Sequence, residues 1–266
     1  MMDVLKVDNL NYEYSNVKIF DNLSFSLKND TLNAIIGTNS SGKTTLIKLI
    51  SGILASNENI ELDGISLTRK NLKEYSVKVG IGFCNKFLFE DVLSELIFTL
   101  ENLNFSSKEI RERLKEFTTL FEFKNFRNKK INDLSTLDKV KVTLISSMIH
   151  LPKLVLLDDV FEELTYDEYI EICNYLKIAI EKYNLTILYT TNNLDKCLSA
   201  DYILFINNSK IVLEGNIEKI LNHDNDLSKN GIMIPTMIDL SLKLKFYGLV
   251  DKVIMDVESL VDTLWK

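Results

Sequence analysis

Residues 31–50, TLNAIIGTNSSGKTTLIKLI, contain the most specific local pattern in this chain of 266 residues. An apolar run typical of a buried strand leads into residues 37–44, GTNSSGKT, which match G-x-x-x-x-G-K-[ST] at every fixed position. Leu46, Ile47 and Ile50 then follow at helical spacing. Strand, glycine-bounded loop and helix is the context that this pattern requires. The stretch therefore predicts a site that binds a nucleoside triphosphate.

The chemistry of this loop follows from its geometry. Backbone N–H groups of the loop and of the helix N-terminus face the phosphates, and Lys43 reaches the β and γ oxygens. The Thr44 hydroxyl can ligate Mg²⁺, and Asp158, at the end of the apolar run LVLL, would hold the water shell of the metal. A glycine loop that merely turns the chain is the alternative, and the full match in context disfavours it. The predicted phosphate-binding residues are Asn39, Ser40, Ser41, Gly42, Lys43, Thr44 and Thr45.

The order of apolar patterns along the chain predicts α/β architecture. Short strand patterns such as VLKVDNL and LSFSL precede the loop, and strands alternate with helices again from residue 154. Between them, about residues 85–150 contain amphipathic helical patterns, one of which opens with a Ser106-x-x-Glu109 capping box. We therefore expect a helical insert within an α/β core.

The C-terminal part of the chain has a different pattern. After Asn222, the run HDNDLSKNG predicts a polar linker, and two short helices follow, the first bounded by Pro235 and Gly248. The predicted apolar stripes are Met237, Leu240, Leu244 and Tyr247 in the first helix, and Val257, Leu260, Val261 and Leu264 in the second. The predicted division is a nucleotide-binding domain over residues 1–222 and a C-terminal helical segment over residues 223–266.

The composition indicates which partners and which cellular compartment to expect for this chain. The formal net charge is -7 and no long Lys/Arg run occurs, so we expect no nucleic-acid partner. Three widely spaced cysteines suit a reducing compartment. The N-terminus lacks the pattern of a signal peptide, and no apolar run reaches 18 residues. We expect a cytoplasmic protein, which would reach a membrane only by docking on a protein there.

With these residues placed, nearly the whole chain resembles an ATP-binding cassette (ABC) ATPase. Tyr14 looks like the aromatic residue that stacks on adenine in this family, with Tyr12 as the alternative. Residues 134–142, LSTLDKVKV, lie where the family has its LSGGQ signature, and Ser135 is the retained serine of that motif. The resemblance implies a P-loop NTPase of ABC type that binds ATP and Mg²⁺. It also implies a mixed sheet core, an N-terminal antiparallel β-subdomain, the helical insert and the short C-terminal helices.

The C-terminal segment narrows the resemblance. IPTMIDLSLKLKFYGL, followed by MDVESLVDTL, is similar to the C-terminal helices of the ATPases of energy-coupling factor (ECF) transporters, which import vitamins and metal ions. The resemblance implies a second ABC ATPase subunit in a heterodimer, a transmembrane coupling component and a substrate-binding membrane component. It implies a cytoplasmic position, peripheral on the inner face of the cell membrane, with the C-terminal helices as a dimerisation element. A generic helix pair that covers an apolar patch is the alternative.

Three residues depart from the catalytic pattern of the family. The family has Glu after the strand Asp, and this chain has Asp159. The family histidine that contacts the γ-phosphate corresponds to Asn192, which cannot become cationic. The Q-loop glutamine corresponds to Cys84, with Asn85 as a possible substitute. These departures predict that ATP binding is retained while hydrolysis by the chain itself is slow.

The loops that would face a partner cassette also depart. The glycines and glutamine of the signature are replaced by Thr136, Leu137 and Asp138, so we expect Leu137 to crowd the approach to a phosphate. The loop after Asp159 reads Glu162-Glu163-Leu164-Thr165, without the aspartate that ends it in the family.

Three functions remain open on this sequence. The first is a transport motor subunit, and the second is a nucleotide-binding scaffold whose heterodimer partner hydrolyses ATP. Asp159 and Asn192 favour the second, whereas the intact phosphate loop is neutral between them. A third, a non-transport ABC protein, is disfavoured by the acidic charge and the ECF-like C-terminal segment.

Overall fold

A computed structural model describes residues 3–55, 59–124, 126–255 and 257–265. The strands are β1 Asp3–Tyr14, β2 Val17–Lys28, β3 Leu32–Ile36, β4 Ile60–Leu62, β5 Ile65–Ser66, β6 Val79–Phe83, β7 Leu154–Asp158, β8 Thr186–Thr191, β9 Tyr202–Asn207 and β10 Lys210–Gly215. The helices are α1 Lys43–Ile50, α2 Leu72–Val77, α3 Val92–Asn102, α4 Ser107–Leu120, α5 Thr136–Met148, α6 Tyr166–Tyr183, α7 Ile217–Leu221, α8 Asp224–Lys229, α9 Thr236–Phe246 and α10 Val257–Leu264.

The central sheet is mixed, as predicted. Its six strands have the order β10-β9-β3-β8-β7-β6, in which β10 runs antiparallel to β9 and the other neighbours are parallel. Strands β3, β7 and β8 are buried along their whole length, which explains their continuous apolar runs. Because parallel strands end at one edge of the sheet, the loops after β3, β6, β7 and β8 meet there.

A second, antiparallel sheet forms the predicted N-terminal subdomain. Its order is β2-β1-β4-β5, and β1 and β2 pair along most of their length. The buried side of α1 packs in one apolar cluster with residues of this sheet and with Ile35, Leu156 and Leu188 of the central sheet. Helix α1 is therefore buried against both sheets, and that position holds the preceding loop.

The predicted helical insert is present between β6 and β7 and contains α3, α4 and α5. Helix α4 has the predicted capping box, because Ser106 Oγ accepts from the Glu109 backbone and Glu109 accepts from the Ser106 backbone. Phe117 and Phe121 of this region are buried in the same apolar cluster as the other face of the central sheet. The insert is therefore packed onto the core.

The predicted polar linker after Asn222 is wrong in its secondary structure. Residues 224–229 form α8. Leu227 is buried, together with Ile232 and Ile238, in the apolar cluster that contains Phe117 and Phe121, which we call the main apolar cluster. One apolar side chain in a polar run carries no periodic pattern, so the burial that stabilises this turn of helix depends on tertiary contacts. The division of the chain at residue 222 stays a prediction.

The predicted stripes of the last two helices are correct only in part. Helix α9 buries Ile238 and Ser241, whereas two members of its predicted stripe, Leu240 and Tyr247, are exposed. In α10 Leu260 is buried, while the rest of its predicted stripe is exposed. Lys266, and Asp256 within the quoted C-terminal pattern, lie outside the described residues. Across the described part of the chain, no helix is long and apolar enough to cross a bilayer.

Candidate functional site

The glycine loop after β3 has a backbone that only glycine fits at two positions. A Cβ atom on Gly37 would lie 2.5 Å from Ser41 Oγ and 2.6 Å from the carbonyl oxygen of Ile206. Gly42 has φ 98°, and a Cβ atom there would lie 2.9 Å from the Phe20 ring. Both glycines of the motif are therefore required by close approach or by left-handed backbone.

Lys43 lies inside this loop. Its Nζ donates to the carbonyl oxygens of Gly37 at 2.8 Å and Thr38 at 3.1 Å, and the side chain is buried. Burial lowers the pKa of the Lys43 ammonium, and the charges of Asp159, Glu162 and Asp158, in that order, oppose the shift. The Lys43 ammonium is therefore held inside the loop by hydrogen bonds to the loop's own carbonyl oxygens.

The loop also offers hydrogen-bond donors that fit an anion. Helix α1 begins at Lys43 with no side chain capping its first turn, so its N–H groups face the loop uncapped. The Ser41 hydroxyl is buried and has no hydrogen-bond partner among the described residues. A buried ammonium, an unpartnered hydroxyl and a helix N-terminus fit a phosphate chain.

Thr44 and Asp158 are brought together across 114 residues of sequence. Thr44 Oγ1 donates to Asp158 Oδ1 at 3.1 Å. Burial raises the pKa of Asp158, and hydrogen bonds from Thr44 and Thr190 oppose that effect. A hydroxyl and a carboxylate are oxygen ligands of the kind that Mg²⁺ takes. Within the described residues, no cluster of three or more His, Cys, Asp or Glu could hold a metal ion. The arrangement therefore fits a Mg²⁺ ion that is held together with substrate phosphates.

Asp159 is tied to the neighbouring strand. It has φ 52°, its N–H donates to Thr190 Oγ1 at 2.9 Å, and its Oδ1 lies 3.0 Å from the same oxygen. Thr190 Oγ1 also lies 2.9 Å from Asp158 Oδ1. The carboxylates of Asp158 and Asp159 therefore converge on one buried hydroxyl.

Asn192 links the end of β8 to the phosphate loop. Its side-chain Nδ2 donates to Asn39 Oδ1 at 3.4 Å, and its backbone N–H donates to Glu162 Oε1 at 3.2 Å. The predicted residues Asn39 and Asn192 therefore lie together, although 153 positions separate them.

Cys84 directly follows β6, which lies beside β7 on the side opposite β8. Burial raises the pKa of its thiol, and the charge of Glu163 raises it further, so the thiol is neutral. Asn85, the alternative to Cys84, is exposed and donates from Nδ2 to Glu163 Oε1 at 3.0 Å.

The predicted residues Tyr14 and Ser135 lie on separate elements of the chain. Tyr14 ends β1, is 42% exposed and contacts Tyr12 edge-on at 5.0 Å between ring centroids. Ser135 is the N-cap of α5, where its Oγ accepts from the Asp138 N–H at 3.1 Å. Leu137 is partly buried against the main apolar cluster.

Three contributors to the site have no counterpart in the sequence pattern. Thr190 binds both carboxylates, and Lys196 Nζ donates to the carbonyl oxygens of Leu164 at 2.6 Å and Thr165 at 3.2 Å. The third is part of the C-terminal segment, which forms a wall of a cavity of about 440 Å³ beside the phosphate loop. The lining residues are Thr38, Asn39, Asn192, Asn193, Asp195, Gly231, Met233 and Pro235.

The chain is similar to known proteins in sequence. Residues 20–162 match the family model described as ABC transporter. The energy-coupling factor transporter ATP-binding protein EcfA1 of Oenococcus oeni is 29% identical over 100% of this chain and 98% of its own length. The protein of the same name from Streptococcus agalactiae is 27% identical, again over 100% of this chain and 98% of its own length.

The fold is also similar to solved structures. The structure of cbiO1 from Clostridium perfringens, described as part of the ABC transporter complex cbiONQ, has a TM-score of 0.77 against this chain. The superposition covers 88% of this chain and 97% of cbiO1 at 24% identity. This likeness shows the fold.

Proposed function

This chain belongs to the ABC transporter family, and from that premise we propose that it is the ATP-binding subunit of an ECF-type importer. It couples ATP binding, with slow or partner-dependent hydrolysis, to the uptake of a vitamin or metal ion. The observation that carries the proposal is the pair of contacts at the glycine loop, in which Lys43 Nζ donates to the Gly37 carbonyl oxygen and Thr44 Oγ1 donates to Asp158. The relatives named as ECF transporter ATP-binding proteins support the subtype, because their alignments extend over the C-terminal segment.

ATP and Mg²⁺ are the ligands that fit this site. Lys43 and the first turn of α1 would hold the phosphates, and Thr44 and Asp158 would hold the metal ion. Bound Mg²⁺ neutralises phosphate charge during phosphoryl transfer. Tyr14 offers an exposed ring for adenine. The proposed nucleotide-contacting residues of the loop are Asn39, Ser40, Ser41, Gly42, Lys43, Thr44 and Thr45.

Hydrolysis at the chain's own site is proposed to be slow. Asp159 is drawn toward Thr190, Asn192 cannot carry a positive charge, and the thiol of Cys84 is neutral. General-base catalysis is worth about 10²–10⁴-fold in rate, or about 3–5 kcal/mol. A carboxylate held away from the reacting water can therefore cost most of the rate without lowering ATP affinity.

A second cassette subunit, in a heterodimer, is the proposed direct partner. Ser135 would reach the nucleotide of that partner, and its exposure at the start of α5 is compatible with this role. The C-terminal segment supports the same proposal, because it carries exposed apolar side chains that a partner could cover. They are Met233, Leu240, Phe246, Tyr247, Leu249, Val257, Val261, Leu264 and Trp265.

The membrane partners are proposed from the family subtype. They are a transmembrane coupling component and a substrate-binding membrane component, which would hold this subunit at the cytoplasmic, inner face of the cell membrane. No nucleic-acid partner is proposed, because the net charge is -7.

A catalytically impaired scaffold is the second candidate function. In this role the chain would bind ATP and complete a heterodimer while the partner hydrolyses. The contact of both carboxylates with the single Thr190 hydroxyl favours it. Both candidates require ATP binding, and only the first requires hydrolysis at the site of this chain.

Titration of the purified chain with a fluorescent ATP analogue and Mg²⁺ tests the binding that both candidates share. Lys43→Ala should weaken binding roughly 10–100-fold, because a hydrogen bond to a charged group contributes about 1.5–3 kcal/mol. Lys48→Ala is the matched control, since Lys48 lies in the last turn of the same helix and should leave affinity unchanged. Equal affinity in the wild type and Lys43→Ala would contradict the proposed phosphate site.

A further inference from the structure

The loop between β7 and α6 carries three acidic side chains that point to different partners. Asp159 is bound through both its N–H and its carboxylate to Thr190, on the side of β8. Glu162 accepts from the backbone of Asn192, and Glu163 accepts from the side chain of Asn85. Sequence position alone favours Asp159 as the catalytic carboxylate, because it directly follows the strand. The structure shows in addition that each of the three side chains has a different hydrogen-bond partner.

Glu162 is the acidic residue of this loop that is connected to the phosphate loop through Asn192. Its Oε1 accepts the Asn192 N–H at 3.2 Å, and the Asn192 side chain donates to Asn39 Oδ1 at 3.4 Å. The charge of Glu162 also acts on the Lys43 ammonium, more weakly than that of Asp159 and more strongly than that of Asp158. Two hydrogen bonds, both made by Asn192, therefore connect Glu162 to the phosphate loop.

The backbone around Glu162 is held at both ends. Phe161 and Leu164 are buried on either side of it, and the Leu164 N–H donates to the Phe161 carbonyl oxygen at 3.2 Å. The buried Lys196 ammonium donates to the carbonyl oxygens of Leu164 and Thr165. The position of the Glu162 side chain is thus set by a fixed loop.

We infer that Glu162, rather than Asp159, is the carboxylate that activates water at the chain's own ATP site. This inference rests on the proposed function, because it requires ATP at the glycine loop. The water oxygen bonds to the γ-phosphorus as the bond from that phosphorus to the β,γ-bridging oxygen breaks. One water proton passes to the Glu162 carboxylate, and ADP and inorganic phosphate are the products. In this role Glu162 would give the slow hydrolysis proposed above.

A purely structural role for Glu162 makes a different prediction. As a brace for Asn192, Glu162 needs only an oxygen that accepts an N–H, and the amide of Gln provides one. As a proton acceptor it needs a carboxylate, which Gln lacks. Glu162→Gln therefore separates the two roles, whereas Glu162→Ala removes both.

The experiment is single-turnover hydrolysis of ATP by the full chain in excess over nucleotide, with Lys43→Ala as background. Glu162→Gln should lower the rate at saturating protein about 10²-fold or more, with unchanged affinity for a fluorescent ATP analogue. Asp159→Asn should lower the rate by much less than Glu162→Gln does. Glu163→Gln is the matched control, because it removes the adjacent charge of the same loop.

Four results would overturn the inference. They are wild-type turnover no faster than the Lys43→Ala background, little loss in Glu162→Gln with or without a large loss in Asp159→Asn, an equal loss in Glu163→Gln, or a loss in Glu162→Ala that Gln rescues. The parallel binding titration keeps the proposed function separate. If the wild type binds the ATP analogue and Glu162→Gln hydrolyses at the wild-type rate, only the assignment of Glu162 fails.

Discussion

The Thr190 hydroxyl is the point at which the two carboxylates after β7 meet. It accepts one N–H, from Asp159, and it has a single proton to donate to Asp158 Oδ1 or to Asp159 Oδ1. The charge of Asp159 raises the pKa of Asp158, in the same direction as burial. The ionisation of Asp158, which the proposed metal site requires, therefore depends on this contact.

Thr190→Val should make Mg²⁺-dependent ATP binding more sensitive to acid. The Thr190 hydrogen bond lowers the pKa of Asp158 against the raising effect of burial, so its loss raises that pKa further. Because the ionised carboxylate holds the metal ion, binding is present above the Asp158 pKa and is lost as pH falls through it. Titrations of a fluorescent ATP analogue with Mg²⁺ over a series of pH values should show the loss at higher pH in Thr190→Val than in wild type. Thr190→Ser, which keeps the hydroxyl, should follow wild type. Identical pH profiles in all three proteins would contradict this role.

At the scale of secondary-structure elements, Ser135 at the start of α5 has two roles, as the helix N-cap and as a proposed contact of a nucleotide. Ser135 Oγ accepts the Asp138 N–H as the helix N-cap, and its own proton stays available to donate. The same serine can therefore cap α5 and contribute to the nucleotide site of a partner cassette. A negative charge at position 135 affects the two roles differently. It is favourable at a helix N-terminus, whereas it would repel a phosphate.

Ser135→Ala and Ser135→Asp should separate these uses. Ala should lower the free energy of unfolding by about 1 kcal/mol, because it removes the cap, whereas Asp is a good N-cap and should preserve it. ATP-induced association with the partner cassette should fail in Ser135→Asp, since the new charge would face phosphate. Urea denaturation and sedimentation measure the two quantities. Ser106→Ala, which uncaps α4, is the control and should lower stability alone. Normal association in Ser135→Asp would exclude the nucleotide role.

At the scale of the whole molecule, the C-terminal segment both belongs to the core and leaves apolar surface uncovered. Leu227, Ile232 and Ile238 are buried in the main cluster, so truncation after Asn222 would open the core of the chain itself. Phe246 and Tyr247 are 84% and 74% exposed. Substitution of these rings tests a docking surface without that damage.

The double substitution Phe246→Ser and Tyr247→Ser should weaken association with the proposed partner cassette. It should change the free energy of unfolding of the isolated chain by no more than about 0.5 kcal/mol, as is usual for exposed positions. Association is measured by sedimentation of the chain with the proposed second cassette subunit. Ile178→Ser, at an exposed apolar position on α6, is the control and should not change association. Undiminished assembly in the double variant would show that these rings are not part of the interface.

Short-range patterns were sufficient for the phosphate loop and for several helix starts. Lys43 donates to carbonyl oxygens of its own loop, and the Ser106 capping box joins residues three positions apart. Such features need no distant partner, so spacing along the chain identifies them. The alternation of strands and helices and the helical insert were predictable for a related reason, because their apolar periods repeat over whole elements. The mixed sheet was an implication of the family resemblance.

The contacts that distinguish Asp159 from Glu162 depend on tertiary structure. Thr190 lies 31 residues from Asp159, Glu162 lies 30 residues from Asn192, and Asn192 lies 153 residues from Asn39. Each pair meets because parallel strands end at one edge of the sheet, and no local spacing records which side chains meet there. The buried faces of α8 and α9 were missed for the same reason. An apolar stripe shows that a helix can pack, whereas the rest of the fold decides which face it buries. The sequence by itself thus determined a triphosphate loop on an α/β core, and only the tertiary structure decided which partner each carboxylate after β7 contacts.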